Sequence, residues 1–244
     1  MKANQIGPQL LLLTLSLSAS LAATLPDRTF VTNGPVQAIV RGGGTIYIGG
    51  QFNRVGPRTG PGVEVALAGT QNAGLPEISG AGPSSLVGAG GYLSAVAADG
   101  TGGWYIGGLF THVGGVARTN LAHIRADHTV DPNFNPSLND AVQTLAVSGS
   151  TIYAAGLFTS ISGQTRNKIA ALNGADGGVT AFNPNANGDV QALVISSDGS
   201  IVYVGGRFTI IRGLPRIAIA ALNAGDGTPR QRSTRMLPVL SAAV

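Results

Sequence analysis

Short apolar runs separated by clusters of Gly, Asp, Asn and Ser fill most of this chain. The clearest stretch begins with Val142-Gln143-Thr144-Leu145-Ala146-Val147, turns at Gly149-Ser150, and continues through Thr151-Ile152-Tyr153-Ala154-Ala155-Gly156-Leu157-Phe158. Ile169 to Asn173 and Val179 to Asn185 follow, with Asp176-Gly177 between them. Runs of this length, rich in Val, Ile, Thr and aromatics and bounded by turn formers, predict strands. None sustains the 3.6-residue period of an amphipathic helix. Asp-Gly at 99, 176, 198 and 226 supplies residues that accept the positive φ of tight turns. The expectation is a four-stranded antiparallel meander.

The same pattern recurs. Tyr-x-Gly-Gly-x-Phe, with small variations, spans Tyr47 to Phe52, Tyr105 to Phe110, Tyr153 to Phe158 and Tyr203 to Phe208, the third copy carrying Ala155-Gly156 for the glycine pair. Successive Phe residues are 58, 48 and 50 positions apart. A four-stranded sheet with two apolar faces cannot bury itself alone, so copies stack face to face. A repeat of roughly 40–50 residues is the size of a propeller blade. The fold expected is therefore all-β, a β-propeller of four-stranded antiparallel blades with about four blades present. The glycine pairs let blades approach closely, and the repeated Phe fills the space between them.

The expected units are a leader at 1–23, a divergent first blade at 24–82, blades at 83–136 and 137–187, an incomplete fourth at 188–227, and a tail at 228–244. Within the first blade Val63 to Leu67 serves as a third strand, and the Gly/Ser-rich Ser79 to Gly91 is an insertion at the rim. The period places a Phe-Asn-Pro-Asn near position 232, where the chain reads Gln231-Arg232-Ser233-Thr234-Arg235-Met236. Codons can be chosen for these residues that, read one base out of phase, encode Thr-Phe-Asn-Pro-Asn. A change of frame near Thr228 accounts for the break, and makes the chain a truncated propeller. An open arc leaves sheet faces and edges exposed and predicts poor solubility.

Met1 to Ala23 carries one Lys, an apolar run from Leu10 to Leu21 and the small residues Ser20, Ala22 and Ala23. It predicts a signal peptide, since its apolar core falls short of the ~20 residues of a membrane span. With no cysteine and no usable Asn-x-Ser/Thr sequon, the expected setting is bacterial export, secreted or in the cell envelope. The formal charge of +4 suggests a nucleic-acid partner only until it is located. Removing Lys2, Arg230, Arg232 and Arg235 from the 15 basic residues leaves 11 against 11 acidic ones. The folded part is neutral and has no basic stripe, which excludes nucleic acid as the expected partner.

The run Ile201 to Thr209, then Arg216, Ile219 to Asn223 and Asp226-Gly227, together with Phe182-Asn183-Pro184-Asn185 and Asn187-Gly188-Asp189-Val190, resembles the delta-60-type repeat. That group is a β-propeller domain of unknown function in exported bacterial proteins. The resemblance covers roughly residues 36 to 227 and is weakest in the first copy, where Gly60 stands at the position of Arg118, Arg166 and Arg216. It implies location and architecture and carries no activity. Kelch-type propellers match less well, because they require further Tyr and Trp positions and Trp104 is the only Trp.

Candidate chemistry is sparse. Gln37, Gln143 and Gln191 each follow the first Val of an inner strand and are expected to face the central channel, where they would orient a ligand without catalysing. Arg118, Arg166 and Arg216 lie eight residues after their Phe; the expected role is bonding to carbonyls, with an anion-binding ring at the channel mouth as the alternative. His112, His123 and His128 all belong to the second copy and lack the spacing of a metal site. Asn183, Asn185 and Asn187 before Gly188 imitate a calcium loop, but Val194 stands where the bidentate acid belongs, so an inter-blade turn is expected. No metal or cofactor is predicted. The functional expectation is a non-enzymatic module that binds a protein or glycan. The competing reading is a secreted hydrolase or lyase, requiring Asp127, His128 and Asp131 to converge.

Overall fold

The computed structural model describes residues 34–42, 45–51, 62–66, 76, 78–79 and 91–231. The predicted signal peptide, Phe52, Gly60, nearly all of the Ser79–Gly91 insertion and residues 232–244 lie outside them. The described chain is all-β, without a helix.

Of the five three-stranded sheets among the described residues, four follow one another along the sequence as repeated antiparallel units. The first joins β1 (Val36–Gly42), β2 (Thr45–Gly50) and β3 (Gly62–Ala66). A short β4 (Ile78–Ser79) precedes the second sheet, which joins β5 (Tyr92–Ala98), β6 (Trp104–Leu109) and β9 (Leu121–Ile124). Between β6 and β9 a hairpin of β7 (His112–Val113) and β8 (Val116–Ala117) projects, with β4 on its edge. The third sheet is β10 (Val142–Ser148), β11 (Thr151–Gly156) and β14 (Ile169–Asn173), with the hairpin β12 (Ser160–Ile161) and β13 (Gln164–Thr165). The fourth is β15 (Val190–Ile195), β16 (Ile201–Gly206) and β19 (Ile219–Asn223), with the hairpin β17 (Ile210–Ile211) and β18 (Leu214–Pro215).

Two features depart from the sequence expectation. In the second, third and fourth units the fourth run is no ladder strand: it contributes one bridge to the outer edge, Ile124 to Val130, Leu172 to Val179 and Leu222 to Pro229. It then crosses to the next unit, where Leu138 bridges Ile161 and Ala186 bridges Ile211. The second departure is the hairpin after each Phe, whose two-residue turns Gly114-Gly115, Ser162-Gly163 and Arg212-Gly213 all have positive φ. The strand expected from Ile217 begins at Ile219, because Ala218 has a φ of 61° and breaks the extended run. Repeat-type bonding continues to Arg230, whose amide donates to the Ala221 carbonyl as Thr180 does to Ala171.

The glycine pairs divide their work. A Cβ on Gly107 would meet Val142 of the third sheet at 2.6 Å, and one on Gly49 would meet Leu93 of the second at 2.9 Å. The first glycine thus seats the neighbouring sheet. The second, at Gly50, Gly108, Gly156 and Gly206, lies so close to a carbonyl of its own first strand that no side chain fits. Each such contact adjoins a β-bulge in the first strand.

First strands β1, β5, β10 and β15 pack on one another in succession, so the sheets converge along them. The core lies between the sheets, in three clusters. Phe110, Phe158 and Phe208 are buried in it, as expected, joined by Phe134 and Phe182 from the crossing segments. Among the described residues the first and fourth sheets make no comparable joint.

Candidate functional site

Gln37, Gln143 and Gln191 occupy the bulges: the registers shift between Val36 and Ala38, Val142 and Thr144, and Val190 and Ala192. Gln37 and Gln191 are exposed, while Gln143 is half-buried and its Oε1 has no hydrogen-bond partner. Ser94 fills the same position in the second sheet.

The three arginines are turned onto backbone. Arg118 donates to the carbonyls of Ala117 at 2.7 Å and Asp131 at 2.8 Å. Arg166 does the same to Thr165 and Thr180, and Arg216 to Pro215 and Arg230. Each guanidinium ties its hairpin to the crossing segment of its own unit. A second repeated tie escaped the sequence reading: the Asn139 side chain accepts from the Thr159 and Ser160 amides, and Asn187 accepts from Thr209 and Ile210. The Asn183–Asn187 segment, read as an inter-blade turn, fastens one unit to the hairpin of the next. Asn185 accepts from Asn167, and Asn183 Oδ1 is buried without a partner.

Asp127, His128 and Asp131 do not form one site. Asp127 is exposed and accepts from the amide and hydroxyl of Thr129. His128 takes a φ of 68° at the turn position of Gly177 and Gly227, its ring 5.7 Å from that of Trp104. Asp131 turns inward to a different group. Its Oδ2 lies 2.9 Å from His123 Nδ1, and Asp99 Oδ2 lies 3.1 Å from His123 Nε2. The His123 ring stacks on Tyr105 with centroids 4.3 Å apart. Arg125 donates to the other Asp131 oxygen at 2.7 Å.

This cluster is the densest arrangement of ionisable groups in the described chain. Carboxylates only accept, so both contacts are satisfied together when the His123 ring carries hydrogens on both nitrogens. Burial pushes the Asp131 carboxyl up, but bonds from His123, the Asn133 amide and Arg125 outweigh it and hold it below the usual range. Asp99 is likewise raised by burial and brought below its usual range by Thr101, His123 and Gly103. Burial, then the charges of Asp99 and Asp131, push the Tyr105 hydroxyl up. Both His123 nitrogens are thus engaged by carboxylate oxygens, one from each side of the ring. Among the described residues no group of three or more His, Cys, Asp or Glu is arranged to hold a metal ion.

Sequence reasoning had a signal for it. His123 and Asp131 fall where the third unit has Ala171 and Thr180, as the matching bonds Asp131 to His123 and Thr180 to Ala171 show. Comparing the units position by position exposes the departure.

Residues 100–134 and 151–177 match a family model described as a domain of unknown function, DUF5122, beta-propeller. These two segments are similar to the DUF5122 beta-propeller. The expected kinship with a β-propeller domain of unknown function is met. The DUF5122 match spans β6 to β9 with the crossing segment as far as Phe134, and β11 to β14 with the turn after it. His123 and Asp131 therefore lie inside a segment that the family model matches. No curated protein matches the chain. A solved structure, the computationally designed Ika8 protein, is similar at 10% identity with a TM-score of 0.46. The alignment covers 80% of this chain and 60% of that one.

Proposed function

We propose that this chain is an exported, non-catalytic propeller module of the delta-60 type, built of four-stranded blades, which presents its loops to a protein or glycan partner. About four blades are present, and the bridged crossing segment counts as the fourth strand of each. What carries the reading is how the repeated polar side chains are used. The arginines bond carbonyls, Asn139 and Asn187 cap hairpins, and both His123 nitrogens are occupied. Binding falls to what remains exposed at the ends of the sheets, where Gln37 and Gln191 stand in the bulges of β1 and β15. Gln143, with its unpartnered Oε1, extends that row. The side chains there are neutral amides, suited to hydroxyl-rich or peptide ligands. Arg118, Arg166 and Arg216 support this surface by holding the hairpins in place.

Export is tested with a tagged full-length chain in a bacterial host. A protein recovered outside the cytoplasm and starting at Ala23 or Thr24 is expected; retention with Met1–Ala23 attached overturns it. Binding is tested by presenting the same protein to glycan and peptide arrays. Selective retention that weakens in Gln37→Ala/Gln191→Ala is expected, and turnover of a glycan or ester substrate would overturn the non-catalytic reading.

A further inference from the structure

One packing step is repeated between successive sheets, and it is interrupted at both ends of the stack. On the side facing the preceding sheet, Leu145 of the third sheet packs in a cluster with Tyr105, and Leu193 of the fourth packs with Tyr153. Ile39, at the same register position in the first sheet, is 61% exposed, and Val36 nearby is 36% exposed. On the side facing the following sheet, Tyr105 donates its hydroxyl to the Gly174 carbonyl at 3.1 Å, and Tyr153 donates to Ala224 at 3.0 Å. Tyr203 is 44% exposed, and its hydroxyl has no partner among the described residues. Beside it Val194 and Ile219 are more than half exposed, whereas their counterparts in the third sheet are half-buried at Ala146 and fully buried at Ile169. Gly205 completes the pattern: a Cβ there would find nothing nearer than 3.7 Å, where Gly107 receives Val142 at 2.6 Å.

We propose that this face of the fourth sheet docks the exposed face of the first sheet of a second copy of the chain, head to tail. The occupant is argued from register. Gly107 seats Val142, and the first-sheet equivalent of Val142 is Val36, which is free to enter the hollow over Gly205. Ile39 then covers Tyr203 as Leu193 covers Tyr153. The chain thus carries both halves of a joint it already makes three times internally. Arg41, at the position of Val147 and Ile195, is exposed and lies at the rim. Such a heterologous contact closes into a ring if the rotation allows and otherwise propagates. It is independent of what the bulge and hairpin loops bind, so its failure leaves that reading standing.

The test is sedimentation velocity on the full chain from about 1 to 100 μM, the range in which ordinary hydrophobic joints saturate. Wild type is expected to sediment as two or more copies. Ile39→Asp and Val194→Asp alter exposed residues on opposite faces; each is expected to run as a monomer with an unchanged melt, its association weakened at least about tenfold. Mixed together they still offer one intact joint, and a one-to-one dimer is expected. Gly205→Leu, which the free face has room for, repeats the Val194→Asp result by filling the hollow. A monomeric wild type overturns the proposal and leaves the face to a further sheet of another origin. Association that survives both aspartates, or a mixture that stays monomeric, overturns it equally.

Discussion

At position 218 an alanine holds a φ of 61°, a conformation that costs an L-residue with a Cβ roughly 1–2 kcal/mol. Its counterpart Asn120 holds 67° and uses its side chain to accept from the Phe110 amide and donate to the Leu138 carbonyl. Ala218→Asn is expected to stabilise the chain by about 1 kcal/mol, read as a higher urea midpoint at unchanged slope. His123 is the opposite case, a side chain whose loss strands its partners. Both aspartates facing it are nearly buried, with 7% and 10% of their side chains exposed. His123→Ala is therefore expected to cost about 3–5 kcal/mol. Adding Asp131→Thr, which recreates the Ala171 and Thr180 pair of the third unit, is expected to recover part of that loss in a double-mutant cycle. The same cluster sets an acid limit. Asp99 and Asp131 are held below the usual carboxyl value, so their contribution is complete above about pH 4 and is lost as pH falls through their lower folded values. Between pH 6 and pH 3 the urea midpoint of wild type should fall more than that of Asp131→Asn.

Strand pairs place the glycines under different constraints although the sequence writes them as one motif. Gly156 lies against the Ala141 carbonyl and the Gln143 amide, backbone that cannot yield without dismantling the bulge. Gly156→Ala is expected to cost more than about 2 kcal/mol through that clash. Gly205→Ala, by contrast, is expected to change stability by no more than about 0.5 kcal/mol, since the added methyl meets nothing nearer than 3.7 Å and the third unit already carries Ala155 there. Chemical denaturation of the two variants side by side checks the contrast. The hairpins were not legible as strands, because β7, β8, β12, β13, β17 and β18 are two residues long, too short for periodicity to register. The crossing segments misled for another reason. Their apolar residues, such as Val179 and Phe182, are spaced like a strand, yet Phe182 serves the next interface and only Val179 pairs with the outer edge.

For the whole molecule, the apolar residues left exposed on the first and fourth sheets have the largest physical consequence. Apolar faces at both ends stay exposed, and their complementarity in register makes association the outcome most in need of measurement. The amino-acid sequence determined the unit: strand alternation, Asp-Gly turns, a buried Phe and a close-packed glycine recur at fixed spacing, and local sterics and burial act within a few residues of each. It also determined that units stack, since neither face of one sheet is polar enough to stand in water. Only the tertiary structure decided which groups meet across distance. Asp99 and Asp131 reach His123 because β5 and β9, both antiparallel to β6, finish at the same end of the second sheet, 24 and 8 residues from the ring in sequence. The Tyr ladder likewise depends on carbonyls 69 and 71 residues away. Such contacts depend on how one sheet is placed on the next, and residue spacing within a unit does not specify that placement.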